Sequence, residues 1–306
     1  MEMEAEKGMQ QAFGSPGGKS YLARKIASEL PEHKVYVEPY AGGAAVYFRK
    51  GASEKEVLGD RDTEIAFAFR FLRDMTDEQY KRLEQKDWVI SQKQFDKLKA
   101  SEPTDDVERF YRFYYIKKGS FGRISEYVNK GKIGYTIGID KLPKVHKRLK
   151  GTAVHTGDAL KLIDKYDSKD TFFYLDPPYP GRASTGKGAP EFTEEDLKKL
   201  TDRLKHIKGK FMLSLSTEHA KLLPSGWNVK RVKVGRNVAG RAWAETKGTS
   251  SSYQYEIIAT NFRFSKNRQG LTVSKGLPRR IRHTNRRRKS ASSSRRRRAT
   301  FKRVKK

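Results

Sequence analysis

Residues 171–179 read Thr-Phe-Phe-Tyr-Leu-Asp-Pro-Pro-Tyr. The apolar run Thr171–Leu175 reads as a strand, and Asp176-Pro177-Pro178-Tyr179 follows at its carboxyl end. That edge of an open α/β sheet is where ligands sit. Chance occurrence of the tetrapeptide in a chain this long is on the order of one in a thousand at average residue usage. Two prolines fix φ and remove two N–H donors, so the segment is stiff and offers acceptors only, the Asp176 carboxylate and the Pro177 carbonyl. Such an acceptor pair suits an amino group, and Tyr179 adds an aromatic face on which a planar base could stack. The structural alternative is a proline-stiffened strand exit in which Asp176 caps the next element.

Working outward, six further β-like runs occur: Val35–Glu38, Val57–Leu58, Ala153–His155, Phe211–Leu215, Val229–Val234 and Tyr253–Ala259. Helical patterns lie between several of them, and this alternation predicts an α/β body of seven strands with a largely parallel sheet. One helix is expected after Thr193, where Thr-Glu-Glu-Asp offers a cap and Leu197, Leu200, Leu204 and Ile207 share a face. Another is expected through Ile65, Phe69 and Leu72.

Residues 76–150 interrupt the alternation and are too long for a loop inside a compact sheet, so they read as an inserted, mainly helical subdomain. The stretch is charged and aromatic, with Arg109, Phe110, Tyr111, Arg112, Phe113, Tyr114 and Tyr115 in succession. Interleaved rings and cations suit base stacking with phosphate neutralisation. Phe110, Phe113 and Tyr114 read more readily as the insert's own core. That leaves Lys117, Lys118, Arg123 and a Gly131–Tyr135 hairpin bearing Lys130, Lys132 and Tyr135 as nucleic-acid contacts.

A second pattern is Val35-Tyr-Val-Glu38-Pro-Tyr40-Ala-Gly42-Gly43-Ala-Ala. A strand running into a glycine-rich turn lets a ligand approach the backbone. Asp60 stands 22 residues after Glu38, at the end of the next strand, the spacing at which an acid grips a ribose. The turn is neither GxGxxG nor a P-loop.

The chain has 306 residues and no cysteine, which removes disulfides, thiolate metal sites and thiol catalysis. No apolar run is long enough for a membrane span and the first ten residues are acidic, so a soluble, cytoplasmic protein is expected. The net charge is +30; sixteen of the 66 basic residues and none of the 36 acidic ones lie in 275–306, leaving +14 on the preceding 274. A polyanionic partner follows. Residues 264–306, with almost no large apolar side chains, are expected to be a disordered basic tail that neutralises phosphates without reading bases; solubility and localisation are its other readings.

Together, Pro16-Gly-Gly-Lys19, the Glu38-Pro-Tyr-Ala-Gly-Gly turn, Asp60, Asp176-Pro-Pro-Tyr179 and the closing Glu256-Ile-Ile-Ala-Thr-Asn261-Phe262 resemble the Dam-type adenine-N6 DNA methyltransferases, in that family's order, over roughly residues 13–263. The resemblance implies a Rossmann-like class I methyltransferase sheet formed by 13–75 and 151–263, with 76–150 as target-recognition insert. It implies S-adenosyl-L-methionine as cofactor. Lys19 would lie at the methionine end, Glu38, Gly42 and Gly43 along the methionine moiety, Tyr40 beside the cofactor, Asp60 on the ribose hydroxyls and Asp158 near the adenine. Two positions depart from the pattern. Ser15 stands where an aromatic is usual, with Phe13 or Tyr21 expected to substitute, and Ala159 replaces an aromatic after Asp158.

The expected chemistry is methyl transfer to an adenine N6 that Asp176 and the Pro177 carbonyl orient, on a base flipped out of double-stranded DNA by a monomeric enzyme. No metal is expected, because His33, His146, His155, His206, His219 and His283 are scattered. Cytosine N4 or RNA as acceptor, and a degenerate DNA-binding protein driven by its tail, are the alternatives.

Overall fold

The computed structural model describes residues 9–15, 18–123, 125–181, 191–235 and 253–264. Seven strands, β1 (Val35–Glu38), β2 (Lys55–Asp60), β3 (Ala153–Thr156), β4 (Thr171–Leu175), β5 (Lys210–Ser216), β6 (Asn228–Gly235) and β7 (Tyr253–Thr260), form one sheet in the order β3-β2-β1-β4-β5-β7-β6. The first five are parallel, with Val37 level with both Val57 and Phe173, and Phe173 level with Phe211. β7 runs antiparallel between β5 and β6.

Side chains alternate across this sheet, so neighbouring residues serve different cores. Tyr36, Leu58, Phe172, Tyr174, Met212 and Ile258 face one cluster, whereas Val37, Val57, Phe173, Leu213 and Ile257 face another. The first face is covered by α1 (Ala23–Ser28), α2 (Thr63–Asp74), α5 (Asp106–Gly119) and α6 (Leu142–Leu149). The second is covered by α7 (Ala159–Tyr166) and α8 (Glu194–Leu204). α8 starts as its sequence requires: Thr193 Oγ1 accepts the Asp196 N–H at 3.1 Å, and Asp196 accepts the Thr193 N–H at 2.9 Å. Leu197, Leu200 and Leu204 are buried, while Ile207 lies beyond the helix end and is only partly so.

Residues 76–150 contain α3 (Asp77–Glu84), α4 (Gln92–Ala100), α5, α6 and two 3₁₀ turns, Phe121–Arg123 and Lys130–Lys132. The aromatic run of α5 joins this segment to the body. Phe110 stacks on Phe71 of α2 with ring centroids 4.5 Å apart, and Phe113 meets Phe13 edge-on at 5.0 Å. Phe110, Phe113 and Tyr114 are buried, as a core reading requires, but in a core shared with the body and not one of the insert's own, because Phe71 and Phe13 lie outside 76–150.

The stretch 131–135 is not a self-paired hairpin. The Ile90 N–H donates to the Tyr135 carbonyl (2.9 Å), the Gly134 N–H to the Ile90 carbonyl (2.8 Å) and the Ile137 N–H to the Trp88 carbonyl (2.9 Å). Its partner is therefore the segment Trp88–Ile90, anchored by the buried Trp88 whose indole N–H donates to the Leu83 carbonyl. A local reading of the glycines could not supply that distant partner. Residues 265–306, which hold nearly all of the expected tail, lie outside the described residues, and no helix among those described is long and apolar enough to cross a membrane.

Candidate active site

The parallel strands deliver three carboxyl groups to one edge: Glu38 ends β1, Asp60 ends β2, and Asp176 follows β4. Burial is the first cause in each case, pushing Glu38 up to about 8, Asp60 to about 6 and Asp176 to about 6. For Glu38, a hydrogen bond from the Tyr36 hydroxyl at 3.0 Å opposes the shift, and the neighbouring Asp176 charge adds to it. An edge crowded with desolvated carboxyls suits a cationic ligand.

Lys19 stands at the centre of that edge. Its buried ammonium donates to Asp176 Oδ1 at 2.6 Å, lies 3.6 Å from Glu256 Oε2 and sits 5.2 Å from the centre of the Tyr179 ring. Burial alone would lower the lysine pKa, but Asp176, Tyr179 and Glu256 together hold it well above the ordinary value. Lys19 and Asp176 thus form an ion pair at neutral pH. Tyr179 is buried, with its ring 6.4 Å from the His219 ring and its hydroxyl pKa raised by burial.

The glycine turn is tied to Asp60, whose Oδ2 accepts the Gly42 N–H at 2.8 Å and whose Oδ1 accepts the Asp62 N–H at 2.9 Å. Gly42 has φ +49°, and a Cβ there would come within 2.8 Å of Ser15 Oγ; one on Gly43 would meet the Phe13 carbonyl at 2.7 Å. The space these glycines leave is thus taken by residues 13–15. Ser15 also accepts the Gly43 N–H at 3.3 Å. Of the two rings expected to substitute for an aromatic at Ser15, Phe13 packs in the core against Phe69 and Phe113, and Tyr21 is 78 % exposed. Pro16 and Gly17 lie outside the described residues.

Asp158 caps α7, accepting the N–H groups of Leu160 (2.7 Å) and Lys161 (3.1 Å). Tyr40 is half-buried, edge-on to Phe192 at 6.3 Å, and burial first, then the Asp158 charge, raises the pKa of its hydroxyl. Glu38, Tyr40, Gly42, Gly43, Asp60 and Asp158 therefore line one side of the edge, and Lys19, Asp176 and Tyr179 the other. Phe192 is a neighbour that motif reading did not single out, while Ser15 was noted only as a departure from the pattern and Glu256 only as the start of its closing motif, neither with a role in the site. Glu256 carried one signal, a lone acid opening the apolar run Ile257-Ile258-Ala259.

The nucleic-acid candidates divide. Lys130, Lys132 and Tyr135 are exposed, Tyr135 at 68 %, and share their part of the surface with Tyr127 at 69 % and Phe121 at 40 %. Lys132 donates to the Lys118 carbonyl at 2.9 Å, and the Lys118 ammonium lies 5.8 Å from the Tyr114 ring centre. Lys117 is half-buried instead; burial lowers its pKa, while Asp62 and Asp60 pull the other way, so it borders the turn that follows β2. The Arg123 side chain lies outside the described residues. Among those described, no three His, Asp or Glu side chains gather in metal-binding fashion.

Five parallel strands in the order 3-2-1-4-5, an antiparallel seventh strand inserted before the sixth, and acids at or just past the ends of the first, second and fourth make an open α/β sheet of the Rossmann-like class. Residues 15–238 match the D12 class N6 adenine-specific DNA methyltransferases, and the chain belongs to that family. It is similar to the type II methyltransferase M.MjaIII of Methanocaldococcus jannaschii, with 25 % identity over 80 % of this chain and 96 % of the relative. It is also similar to the DNA adenine methylase of Vibrio cholerae, 26 % identical over 74 % of this chain and 90 % of the relative. The type II methyltransferase M.CviBI of Paramecium bursaria Chlorella virus NC1A is 25 % identical over 69 % of this chain and 85 % of its own. The protein is an adenine-specific DNA methyltransferase.

Proposed function

We propose that Asp176 is the acceptor that orients the target amine, in a site whose Glu38–Asp60 side holds S-adenosyl-L-methionine. The observation that carries this reading is the position of Asp176: at the exit of β4, two strands from Asp60 and paired with a buried lysine. The residues present suit the methyl donor. Three carboxyls raised by burial would be relieved by a ligand bearing sulfonium and ammonium charges, and Asp60 offers carboxylate oxygens to ribose hydroxyls. When bound, that molecule supplies an electrophilic methyl group on sulfur.

The chain's own residues do the rest. Adenine N6 is a poor nucleophile because its lone pair is delocalised into the ring. Hydrogen bonds from the amine to Asp176 and to the Pro177 carbonyl draw the nitrogen toward tetrahedral geometry and aim the lone pair. With the methyl group supplied by that donor, the amine's surplus proton would pass to Asp176 or to water. Lys19 keeps Asp176 ionised for this task, opposing the burial that would protonate it. Tyr179 holds the base by its ring face.

A base stacked in a duplex cannot reach a carboxylate at a sheet edge, so the target is flipped out. Phe121, Tyr127 and Tyr135, with Lys118, Lys130 and Lys132, form the surface that grips the opened duplex, and the basic tail adds phosphate contacts. Transfer of labelled methyl to unmethylated plasmid DNA, followed by digestion to nucleosides, tests the reading. N6-methyladenine is expected, and its absence together with N4-methylcytosine would reject it.

A further inference from the structure

The proposed chemistry sets a local competition. Asp176 is to accept the target amine while its Oδ1 also accepts the Lys19 ammonium at 2.6 Å, which leaves Oδ2 for the amine but weakens the carboxylate as an acceptor. A buried ammonium cannot simply give up an acceptor, because an uncompensated charge in that environment is costly. A second acceptor within reach lets it loosen its hold on Asp176 without being stranded.

Glu256 stands ready for that exchange. It is buried, its Oε2 lies 3.6 Å from the same ammonium, and among the described residues that oxygen accepts no hydrogen bond. Its Oε1 is approached by Gln254 Nε2 at 3.4 Å. A buried carboxylate oxygen left short of donors has a cost that packing does not explain. Closing the gap to the ~2.8 Å of a charge-assisted hydrogen bond needs a shift of under ~1 Å. Topology puts Glu256 there: β7 runs antiparallel to β5, with Glu256 level with Ser216, so its first half reaches the edge where the parallel strands end.

We propose that Glu256 is a positioning residue that takes over the Lys19 ammonium when the target amine takes Asp176. The proposal rests on the reading of Asp176 as amine acceptor. One ammonium shared between two carboxylates keeps the local charge constant through the exchange, and because it moves by under ~1 Å it stays close enough to Asp176 to go on favouring the ionised carboxylate. The groups facing Asp176 are Lys19 from the N-terminal segment, Glu256 from β7, Tyr174 from β4, Tyr179, and Glu38 from β1.

Glu256→Gln keeps the shape and removes the charge. With unmethylated plasmid DNA as substrate, kcat/KM for DNA is expected to fall at least tenfold, with calorimetric affinity for S-adenosylmethionine within twofold of the parent. The acid limb of the rate profile should move to lower pH, since Asp176 loses a negative neighbour. Glu256→Asp retains the charge, serves if the Gln variant fails to fold, and should give intermediate rates with the parent's acid limb. Rates within twofold and an unmoved limb in Glu256→Gln would overturn the proposal. So would a loss matched by an equal loss of cofactor affinity, or a Glu256→Asp variant as impaired as Gln. Asp176→Asn run alongside separates the two layers. Normal turnover there defeats the Asp176 reading and this proposal with it, whereas an inactive Asp176→Asn beside an indifferent Glu256→Gln defeats only the role of Glu256.

Discussion

Lys19 and Asp176 are 157 positions apart in sequence and share a 2.6 Å ion pair at the exit of β4. The pair determines the charge of the acceptor. Burial raises Asp176 to about 6, and Lys19 is the main influence holding it down.

Lys19→Met therefore raises the Asp176 pKa further. Methyl transfer by this variant should fall more at pH 7 than at pH 8.5, and the acid limb of its rate profile should sit above that of the parent. A profile parallel to the parent's at all pH values would remove the counter-ion role.

Glu38 links cofactor-free stability to pH. Its folded-state value of about 8 lies above the ordinary 4.5, so the folded protein holds a proton that the unfolded chain releases. That contribution is complete below pH ~4.5 and is lost as pH rises through 8. Melting of the free protein should show a midpoint that declines over this window, and Glu38→Gln should flatten the decline. An equal slope in the variant would assign the titration elsewhere.

Asp60→Asn retains one acceptor oxygen where two N–H groups, from Gly42 and Asp62, now bind. Losing a charged acceptor costs about 1.5–3 kcal/mol, or roughly ten- to a hundredfold in binding. Calorimetry should show that loss in S-adenosylmethionine affinity, while kcat at saturating cofactor changes less. Unchanged affinity would exclude Asp60 from the cofactor site.

Two aromatic residues of the insert should behave oppositely. Phe110, fully buried and stacked on Phe71 at 4.5 Å, should cost about 3–5 kcal/mol of stability as Phe110→Ala. Tyr135→Ala, at an exposed position, should leave the melting midpoint almost unchanged and weaken DNA binding by about 1–3 kcal/mol. Equal destabilisation by both would contradict the division between core and contact surface.

Much of this was legible in the residues. The bounds of β1 and β4 are those the sequence predicts, because each apolar run stops at an acid–proline pair. β2 runs from Lys55 to Asp60, beyond its apolar centre, since parallel neighbours on both sides recruit the charged flanks into the ladder. The acids at strand ends could be read because a parallel sheet aligns carboxyl ends without further information. What sequence could not show is contact between distant segments. Lys19 on Asp176, Ser15 against Gly42, and the pairing of 133–137 with 88–90 each require the folded chain. Glu256 could be quoted as part of a motif, but its place beside Lys19 depends on strand direction: only an antiparallel β7 brings its beginning to the site.

The central claim is that Asp176 orients the amine. Single-turnover methyl transfer by Asp176→Asn, with cofactor saturation verified by calorimetry, tests it most directly. The account predicts a rate lower by on the order of 10²–10³ with S-adenosylmethionine still bound. A variant that binds the cofactor and transfers methyl at the parental rate would contradict it.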